Sequence, residues 1–338
     1  MGNTTTTKRE NDLDKGHVIN DNIFKYFIDG KKKKSEMCGQ DALDIITSKE
    51  LGTGLSFFGV YDGHGIKGKD ASTSLQMEIR LKLIEDKETI RKFKTKVEVE
   101  KYFTILFERI NSLFEKRPND FLSSGSCAIC ILIIDTKLYS INLGDSRAVL
   151  GIKKSEKRIA YELSVDHKPL RDIEYKRIIE QNGEVLEKVG NPPRIVKKND
   201  ENPGLAVSRT IGDILGHECG VCSVPEVIEK DMDQDDCFVV IGSDGIWDLM
   251  NSSEVIGFVF NALEVASTKK EKIVEELVKE CRNRWELLNL LKQKYYSELM
   301  LVKERSNAGN KKKNFSQNTF DIDDISGIIF FINFKFED

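Results

Sequence analysis

Two short acidic motifs follow apolar runs at distant places in the chain. The motif Asp62-Gly63-His64-Gly65 comes directly after the apolar residues 57–61, and Asp244 comes shortly after another apolar run. Asp323 and Asp324 stand just before a third run. If the last strand runs antiparallel to its neighbours, its start lies beside their ends, and these acidic residues meet at one edge of the sheet. Because like charges in a small volume repel one another, such a cluster indicates a bound cation.

Oxygen ligands of this kind favour Mg²⁺ or Mn²⁺ over zinc or copper. The chain has four histidines, at positions 17, 64, 167 and 217, so a multi-histidine site is hard to build. His64 lies two residues after Asp62, and its position leaves open both proton transfer and a structural hydrogen bond. A metal centre beside an acid predicts hydrolysis of a phosphate ester, with metal-bound water as the nucleophile.

The glycines of the first motif allow a rival interpretation. Residues 63–68 match G-x-G-x-x-G, and Glu85 and Asp86 follow at the distance of a dinucleotide-binding fingerprint. Asp62, however, would place a carboxylate beside the pyrophosphate that such a loop must attract. The strands that follow also arrive without βαβ alternation, so we favour the metal site.

The elements that must position these residues follow an α+β order. Helical periodicity covers residues 71–90, 97–114, 173–181 and 253–305. Strand-like runs cover residues 126–135, 137–142, 147–152, 237–241 and 328–334. Only short turn segments separate the three runs between residues 126 and 152, which predicts a meander.

Composition and charge bound the size of the fold and its partners. With 338 residues and 39% hydrophobic content, the chain can form one large domain or two small ones. The net charge of −4 and the pI near 5.8 argue against a nucleic-acid groove. No apolar run reaches the roughly 18 residues that a membrane-spanning helix needs, and the polar N-terminus lacks a signal-peptide pattern. We expect an intracellular, cytoplasmic monomer that does not bind nucleic acid.

The seven cysteines indicate reduced thiols in the absence of a secretory signal. Cys127 and Cys130, together with Cys219 and Cys222, have the CxxC spacing of a structural zinc site. Residues 127–134, however, form an apolar run typical of a buried strand, in which residues three apart face opposite sides. We favour the strand over the zinc site.

The N-terminus carries a lipidation motif. Gly2 and Thr6 match the M-G-x-x-x-[ST] acceptor for N-myristoylation, and residues 1–19 also fit an ordinary polar, disordered tail. Both interpretations stay open. A single myristoyl chain has only marginal membrane affinity, so membrane association through Gly2 would be peripheral and reversible.

Several segments together resemble a known family. Phe58-Gly59-Val60-Tyr61-Asp62-Gly63-His64-Gly65 resembles the signature of the metal-dependent protein serine/threonine phosphatases of type 2C, the PPM family. Further similar segments, in the family's order, are Gly125-Ser126-Cys127-Ala128, Asn142-Leu143-Gly144-Asp145-Ser146-Arg147-Ala148, Asp166-His167-Lys168-Pro169, Leu205-Ala206-Val207-Ser208-Arg209-Thr210-Ile211-Gly212-Asp213, Ser243-Asp244-Gly245-Ile246-Trp247-Asp248 and Asp323-Asp324-Ile325-Ser326. The similarity spans roughly residues 30 to 336.

The resemblance implies a fold and an activity. The fold is a four-layer αββα sandwich, in which helices flank two antiparallel sheets and a metal centre lies in a cleft at one end. Residues 20–338 would form a single catalytic domain. The activity is Mg²⁺- or Mn²⁺-dependent hydrolysis of phosphoserine and phosphothreonine in phosphoprotein substrates, by direct attack of a metal-bridging hydroxide without a phosphoenzyme. The alternative is a pseudophosphatase that acts as a binding module, which would require a lost ligand.

The resemblance also implies roles for residues at matching positions. Asp62 matches the carboxylate that bridges two metal ions, and Gly63 matches the residue that lends its backbone carbonyl. Asp244 and Asp323 match the remaining direct ligands. Asp41 matches the acidic residue that holds metal-bound water.

A third, weaker metal position is also part of the family's pattern. It would use Asp145 and Asp248, so the resemblance implies two ions with a third. His64 matches the general acid that protonates the leaving serine or threonine oxygen.

Two departures from the family concern the residues before Asp41. Gln40 stands where many relatives have Glu, a pattern that we interpret as a plant- and protist-like subtype. Glu36 stands where animal relatives have a phosphate-binding Arg, and a basic run, residues 31–34, lies just upstream. Lys34 is the candidate phosphate contact, with weaker grip than a guanidinium; a solvated strand edge explains the run equally well.

Two other segments differ in length or sequence among relatives. Residues 288–320 form a longer stretch than most relatives have before the final Asp motif, which predicts a surface insertion. Residues 215–226 correspond to the family's variable flap, where substrate choice is usually set.

Overall fold

The computed structural model describes residues 14–20, 22–30, 39–188, 191–265, 267–306 and 322–332. Gly2, with the acylation that it predicts, and Lys34, the candidate phosphate contact, lie outside these residues and stay predictions. No helix in the described part of the chain combines the length and the apolar character needed to cross a membrane.

The strands of the described residues form two large sheets and one small sheet, and all their pairings are antiparallel. The strands are β1 (Asp14–Asn20), β2 (Ile23–Ile28), β3 (Ala42–Ile46), β4 (Leu55–His64), β5 (Gly125–Ile134), β6 (Lys137–Leu143), β7 (Arg147–Lys154), β8 (Lys157–Glu162), β9 (Gly183–Leu186), β10 (Arg194–Lys197), β11 (Pro203–Leu205), β12 (Ile211–Gly212), β13 (Glu226–Asp231), β14 (Asp236–Gly242) and β15 (Ile325–Phe331). One large sheet has the order β1-β2-β15-β14-β7-β8, and the other has the order β13-β6-β5-β4-β3 with β12 beside β5. The small sheet has the order β11-β10-β9.

Helices cover the outer faces of the two large sheets. The helices of the described residues are α1 (Ser48–Leu51), α2 (Gly68–Glu85), α3 (Lys87–Ile90), α4 (Lys96–Glu115), α5 (Pro118–Phe121), α6 (Asp172–Glu180), α7 (Ile214–His217), α8 (Asp244–Trp247), α9 (Ser252–Glu264) and α10 (Lys270–Ser306). A capping box begins α4, in which the Thr95 hydroxyl accepts the N–H of Glu98 and the Glu98 carboxylate accepts the N–H of Thr95.

Three apolar cores separate the four layers. The inner core lies between the sheets, where Phe58 of β4 stacks on Phe330 of β15 with ring centroids 4.3 Å apart. On one outer face, α2 and α4 pack on the sheet that contains β4, for example where Phe103 stacks on Phe57. On the other outer face, α9 and α10 pack on β2, β14 and β15. The expected αββα sandwich is therefore confirmed.

The predicted meander is wrong in its last strand. β5 pairs with β6, but β7 leaves that sheet and pairs with β14 and β8 in the other. Gly144, with φ of +112°, lies in the turn between the two sheets. A sequence pattern gives the strands but not their partners, because β7 is apolar enough to be buried in either sheet.

Two other boundaries also differ from the sequence-based expectation. The predicted disordered tail, residues 1–19, overlaps β1, which pairs with β2 from Asp14 to Asn20. The hydrogen bonds of this pairing join backbone groups, so the polar side chains of the segment do not predict it. The helical stretch 253–305 is divided into α9 and α10. Residues 288–306 of the predicted insertion lie in α10, and residues 307–320 lie outside the described residues, so the insertion stays a prediction.

Candidate metal centre

Strand ends from both large sheets meet at one end of the sandwich. Asp62 lies near the end of β4, and Asp244 opens α8 shortly after β14. Carboxylate oxygens of Asp62, Asp145 and Asp244 all lie within 4.8 Å of one another. Asp323 precedes β15, and its charge acts on both Asp62 and Asp244. The structure thus brings the acidic residues together from two stacked sheets, not from one edge of a single sheet.

Backbone contacts between β14 and β15 fix the place of Asp244. The N–H of Ser243 donates to the carbonyl of Ser326 at 3.1 Å, and the N–H of Ser326 donates to Ser243 Oγ at 3.1 Å. Gly245 has no room for a side chain, because a Cβ there would lie 2.1 Å from the carbonyl oxygen of Asp324. The first turn of α8 therefore packs closely against the start of β15.

Asp41 reaches the centre from the segment before β3. Its two carboxylate oxygens are buried, and neither accepts a hydrogen bond of good geometry from the described residues. The preceding residue, Gln40, donates from Nε2 to the carbonyl of Gly65 at 2.7 Å. The Glu that many relatives have at this position would be ionised and would have no proton to donate to that carbonyl. Gln40 therefore forms a hydrogen bond between the Asp41 segment and the Asp62 motif that a Glu would not form.

Asp324 has a different place from its neighbour Asp323. The buried Asp324 carboxylate accepts the backbone N–H groups of Gly30 at 2.5 Å, Gly39 at 2.9 Å and Gln40 at 2.7 Å. It therefore ties the segment that ends at Asp41 to the start of β15. The sequence pattern did not distinguish Asp323 from Asp324, and this anchoring role was missed.

The electrostatics of the centre fit a cation. Loss of water contact, followed by repulsion from neighbouring carboxylates, raises the pKa of Asp41 to about 7. The same causes, in the same order, hold the pKa of Asp62 and of Asp244 well above the usual range, although both residues keep some solvent exposure. Carboxylates forced together in this way are stabilised by a hard cation, and an all-oxygen donor set suits Mg²⁺ or Mn²⁺.

Asp145 and Asp248 extend the centre toward solvent. Asp145 follows the Gly144 turn and is buried, whereas Asp248 caps the C-terminal end of α8 and is exposed. The ammonium group of Lys168 forms an ion pair with the Asp145 carboxylate. Burial alone would lower the pKa of Lys168, but the carboxylates of Asp145, Asp244 and Asp248 raise it. All seven residues that the resemblance assigns to metal binding therefore lie in this region, and their roles as ligands stay predictions.

His64 lies beside the centre and contacts a second buried carboxylate. Its Nε2 is 2.5 Å from Asp213 Oδ2, and the Asp213 side chain is fully buried. Asp213 has a left-handed backbone with φ of 46°, and its N–H donates to the carbonyl of Ser124. Asp213 ends a family-like segment of the sequence, but the resemblance implied no role for it, and its partner His64 is 149 residues away in the chain.

Comparison with known proteins shows the family of this chain. A family model described as protein phosphatase 2C matches residues 29–286. Probable protein phosphatase 2C 35 of Arabidopsis thaliana is 30% identical over 254 residues, which cover 69% of this chain and 70% of the relative. This chain belongs to the protein phosphatase 2C family. The expected enzyme class, protein serine/threonine phosphatase, is confirmed at this level.

One further relative is longer than this chain, and two solved structures are similar to it in fold. Probable protein phosphatase 2C 64 of Oryza sativa subsp. japonica is 32% identical over 232 residues, which cover 67% of this chain but 53% of that relative. The crystal structure of a serine-threonine phosphatase 2C from Toxoplasma gondii aligns over 92% of this chain and 95% of that chain, with a TM-score of 0.59 at 18% identity. A sex determining protein of C.elegans aligns over 91% of this chain and 64% of that chain, with a TM-score of 0.63 at 20% identity. At such identities the likeness shows the protein phosphatase 2C fold.

A second group of acidic and histidine side chains lies outside the metal centre of this family member. His167, Glu174 and Glu226 are close enough to hold an ion. Arg209, however, forms ion pairs with both glutamates. Burial would raise the pKa of Glu174, but hydrogen bonds, first from Arg209 and then from Arg177, lower it to about 2. Arginine neutralises these carboxylates, so the group is a partly buried ion-pair network and not a second metal site.

The cysteine pattern does not form a zinc site in this protein phosphatase 2C domain. Cys127 and Cys130 lie in β5, as the strand interpretation predicts, and the six described cysteines are free. Cys219 belongs to a separate small core beside the sheet β9–β11. The Cys127 thiol lies 3.6 Å from Asp145 Oδ1, so this residue lines the metal centre without a zinc partner from the other pair.

Proposed function

We propose that this chain is an active, Mg²⁺- or Mn²⁺-dependent phosphatase that hydrolyses phosphoserine and phosphothreonine in phosphoproteins. The observation that supports this most directly is the meeting of Asp62, Asp145 and Asp244 within 4.8 Å, beside a histidine that contacts a buried carboxylate. The matching family model supplies the reaction class.

Different acidic residues would bind different cations. Asp62 and the carbonyl of Gly63 would contribute ligands from β4, and Asp244 and Asp323 would contribute ligands from the other sheet. These ligands would form an inner position, and Asp41 would hold a water molecule bound to the cations there. Asp145 and Asp248 would hold a third, outer cation. When bound, the cations activate a water molecule as the nucleophile and offset the charge of the phosphoryl group.

His64 would act as the general acid. The leaving serine or threonine oxygen needs a proton, and an imidazolium can donate one near neutral pH. Asp213 contacts Nε2 of His64, and such a carboxylate orients the ring and stabilises its positive charge, as in other His–Asp pairs. With water as the nucleophile, no side chain needs to form a covalent intermediate.

Hydrolysis of a phosphoserine peptide with added Mn²⁺ tests the proposal. We expect the unaltered chain to release phosphate and Asp62→Asn to lose activity by at least about 10²-fold, because cation chemistry supplies several kcal/mol to the reaction. Asp231→Asn is the matched control, since Asp231 is an exposed carboxylate that pairs with Lys137 at the surface. Full activity of Asp62→Asn would overturn the proposed mechanism.

The alternative, a pseudophosphatase, predicts a different result in the same assay. The unaltered chain would bind the phosphopeptide but release no phosphate at any Mn²⁺ concentration. All the direct-ligand positions are filled by Asp or Gly in this chain, which favours the active enzyme.

A further inference from the structure

Lys168 places a positive charge inside the acidic centre. Its ammonium group contacts the Asp145 carboxylate, and its charge also acts on Asp244 and Asp248. The Asp145 side chain is 5% exposed, whereas that of Lys168 is 40% exposed. One end of this ion pair is thus inside the protein, and the other end is partly exposed to solvent.

The backbone around this ion pair holds Lys168 opposite Asp145. The residue before Lys168, His167, donates its N–H to the carbonyl of Gly144 at 2.9 Å and accepts at Nδ1 the N–H of Gly144, also at 2.9 Å. The His167 carbonyl accepts the N–H of Ser208 at 2.9 Å. Because Gly144 directly precedes Asp145, these reciprocal hydrogen bonds set the two charged residues beside each other.

We propose that the Lys168 ammonium is an internal competitor for the outer cation that Asp145 and Asp248 would hold. The inference rests on the proposed function. At low cation concentration the Lys168 ammonium pairs with the outer carboxylates. As the cation concentration rises, the cation displaces the ammonium from them. The outer position is therefore weaker than the inner one formed by Asp62, Asp244 and Asp323.

Electrostatics give the direction and the size of the effect. A divalent cation on Asp145 would lie within a few ångströms of the Lys168 ammonium, and repulsion at that distance changes a binding constant by about tenfold or more even in a partly solvated site. The cation must also break the Lys168 ion pair. Lys168 does not contact the inner position, so its charge lowers the affinity for a cation less at that position.

The affinity of each class of cation site can be measured without an assay of activity. The purified full chain is titrated with Mn²⁺, and EPR follows the free Mn²⁺. We expect Lys168→Gln to tighten the weakest class of Mn²⁺ sites by about tenfold or more and to change the tightest class much less. Lys168→Arg keeps the charge and should bind Mn²⁺ as the unaltered chain does. Lys188→Gln is the matched control, because it removes the same charge from an exposed ion pair, that of Lys188 with Glu201.

A double variant identifies the carboxylate through which Lys168 acts. In an Asp145→Asn background the outer position has lost its main ligand, so a further Lys168→Gln change should have little effect on Mn²⁺ binding. Thermal unfolding of each variant shows whether the fold is kept. Unchanged or weaker outer-site binding in folded Lys168→Gln would overturn the inference while leaving the proposed function standing. If the unaltered chain bound no Mn²⁺ at all, both would fail.

Discussion

The contact between His64 and Asp213 predicts how the leaving group affects the rate. A serine or threonine alkoxide needs a proton as it leaves, whereas nitrophenolate is a much weaker base and leaves without one. We therefore expect His64→Gln and Asp213→Asn each to lower kcat for a phosphoserine peptide by about 10²-fold. With p-nitrophenyl phosphate the loss should be much smaller. The ratio of the two kcat values is the measurement.

The two substrates separate a proton donor from a structural residue. If His64 and Asp213 only supported the fold, both substrates would be hydrolysed more slowly by the same factor. The double variant should be no slower than either single variant, because residues that act as one unit are not additive. An additive loss would contradict the assignment of Asp213 to His64.

Some residues of the centre can be predicted from the sequence more directly than others. Asp62 and Asp244 stand at strand ends, so the pattern of apolar runs predicts them directly. Asp41 and Asp145 lie on loops and came only from the family resemblance. Asp213 was missed because its role is a contact across 149 residues, which no local pattern encodes.

At the scale of elements, Asp324 predicts how β15 supports the Asp41 segment. Its carboxylate accepts three backbone N–H groups, from residues 30, 39 and 40. Replacing it by Ala leaves these buried donors without their acceptor, and hydrogen bonds to a charged group contribute about 1.5–3 kcal/mol each to stability. We expect Asp324→Ala to lower the free energy of unfolding by roughly 3 kcal/mol and to weaken Mn²⁺ binding, since Asp41 loses its support.

Urea unfolding and Mn²⁺ titration check the two parts of this prediction. Asp324→Asn retains one carbonyl acceptor and should fall between Ala and the unaltered chain in both measurements. Asp233→Ala serves as a control, because Asp233 also accepts a backbone N–H but is exposed at the surface. Undisturbed Mn²⁺ binding in folded Asp324→Ala would show that the segment holds Asp41 without this anchor.

Element patterns predicted most helices and strands but not the change of sheet between β6 and β7. The helix prediction over residues 97–114 agrees with α4 to within a residue at each end, because one apolar face and a capping box define it locally. The partner of β7 depends on a turn at Gly144 that sends the chain to the other sheet. That same turn places Asp145 in the centre, so one cause explains both the error in the fold and the need for the family resemblance to predict this residue.

At the scale of the whole molecule, the metal centre joins the two sheets. Asp62 comes from one sheet, and Asp244 and Asp323 come from the other, so cations at these carboxylates would link both halves of the sandwich. Without cations, the carboxylates repel one another across the same gap. Cation binding should therefore stabilise the fold as a whole, as any ligand of the native state does.

The pH dependence of this stability follows from the sign of the pKa shifts. The folded pKa of Asp41 is raised to about 7, and those of Asp62 and Asp244 are raised well above their usual range. A carboxyl group with a raised folded pKa contributes stability that is fully present below its unfolded pKa, near 4, and is lost as pH rises through the folded pKa. In EDTA, the melting temperature should fall between about pH 5 and about pH 8.

Added Mg²⁺ should reverse this trend, because the carboxylates bind a cation once they have lost their protons. At about pH 8 and a concentration of 100 times Kd, the gain is about 2.7 kcal/mol, a rise of several degrees, and it should shrink toward pH 5. Differential scanning calorimetry in EDTA and in Mg²⁺ at each pH measures both curves. Asp62→Asn carries one charge fewer at the centre, so its curve in EDTA should be flatter and its response to Mg²⁺ smaller. A melting temperature in EDTA that rises from pH 5 to pH 8 would mean that these carboxylates do not dominate the stability of the cation-free fold.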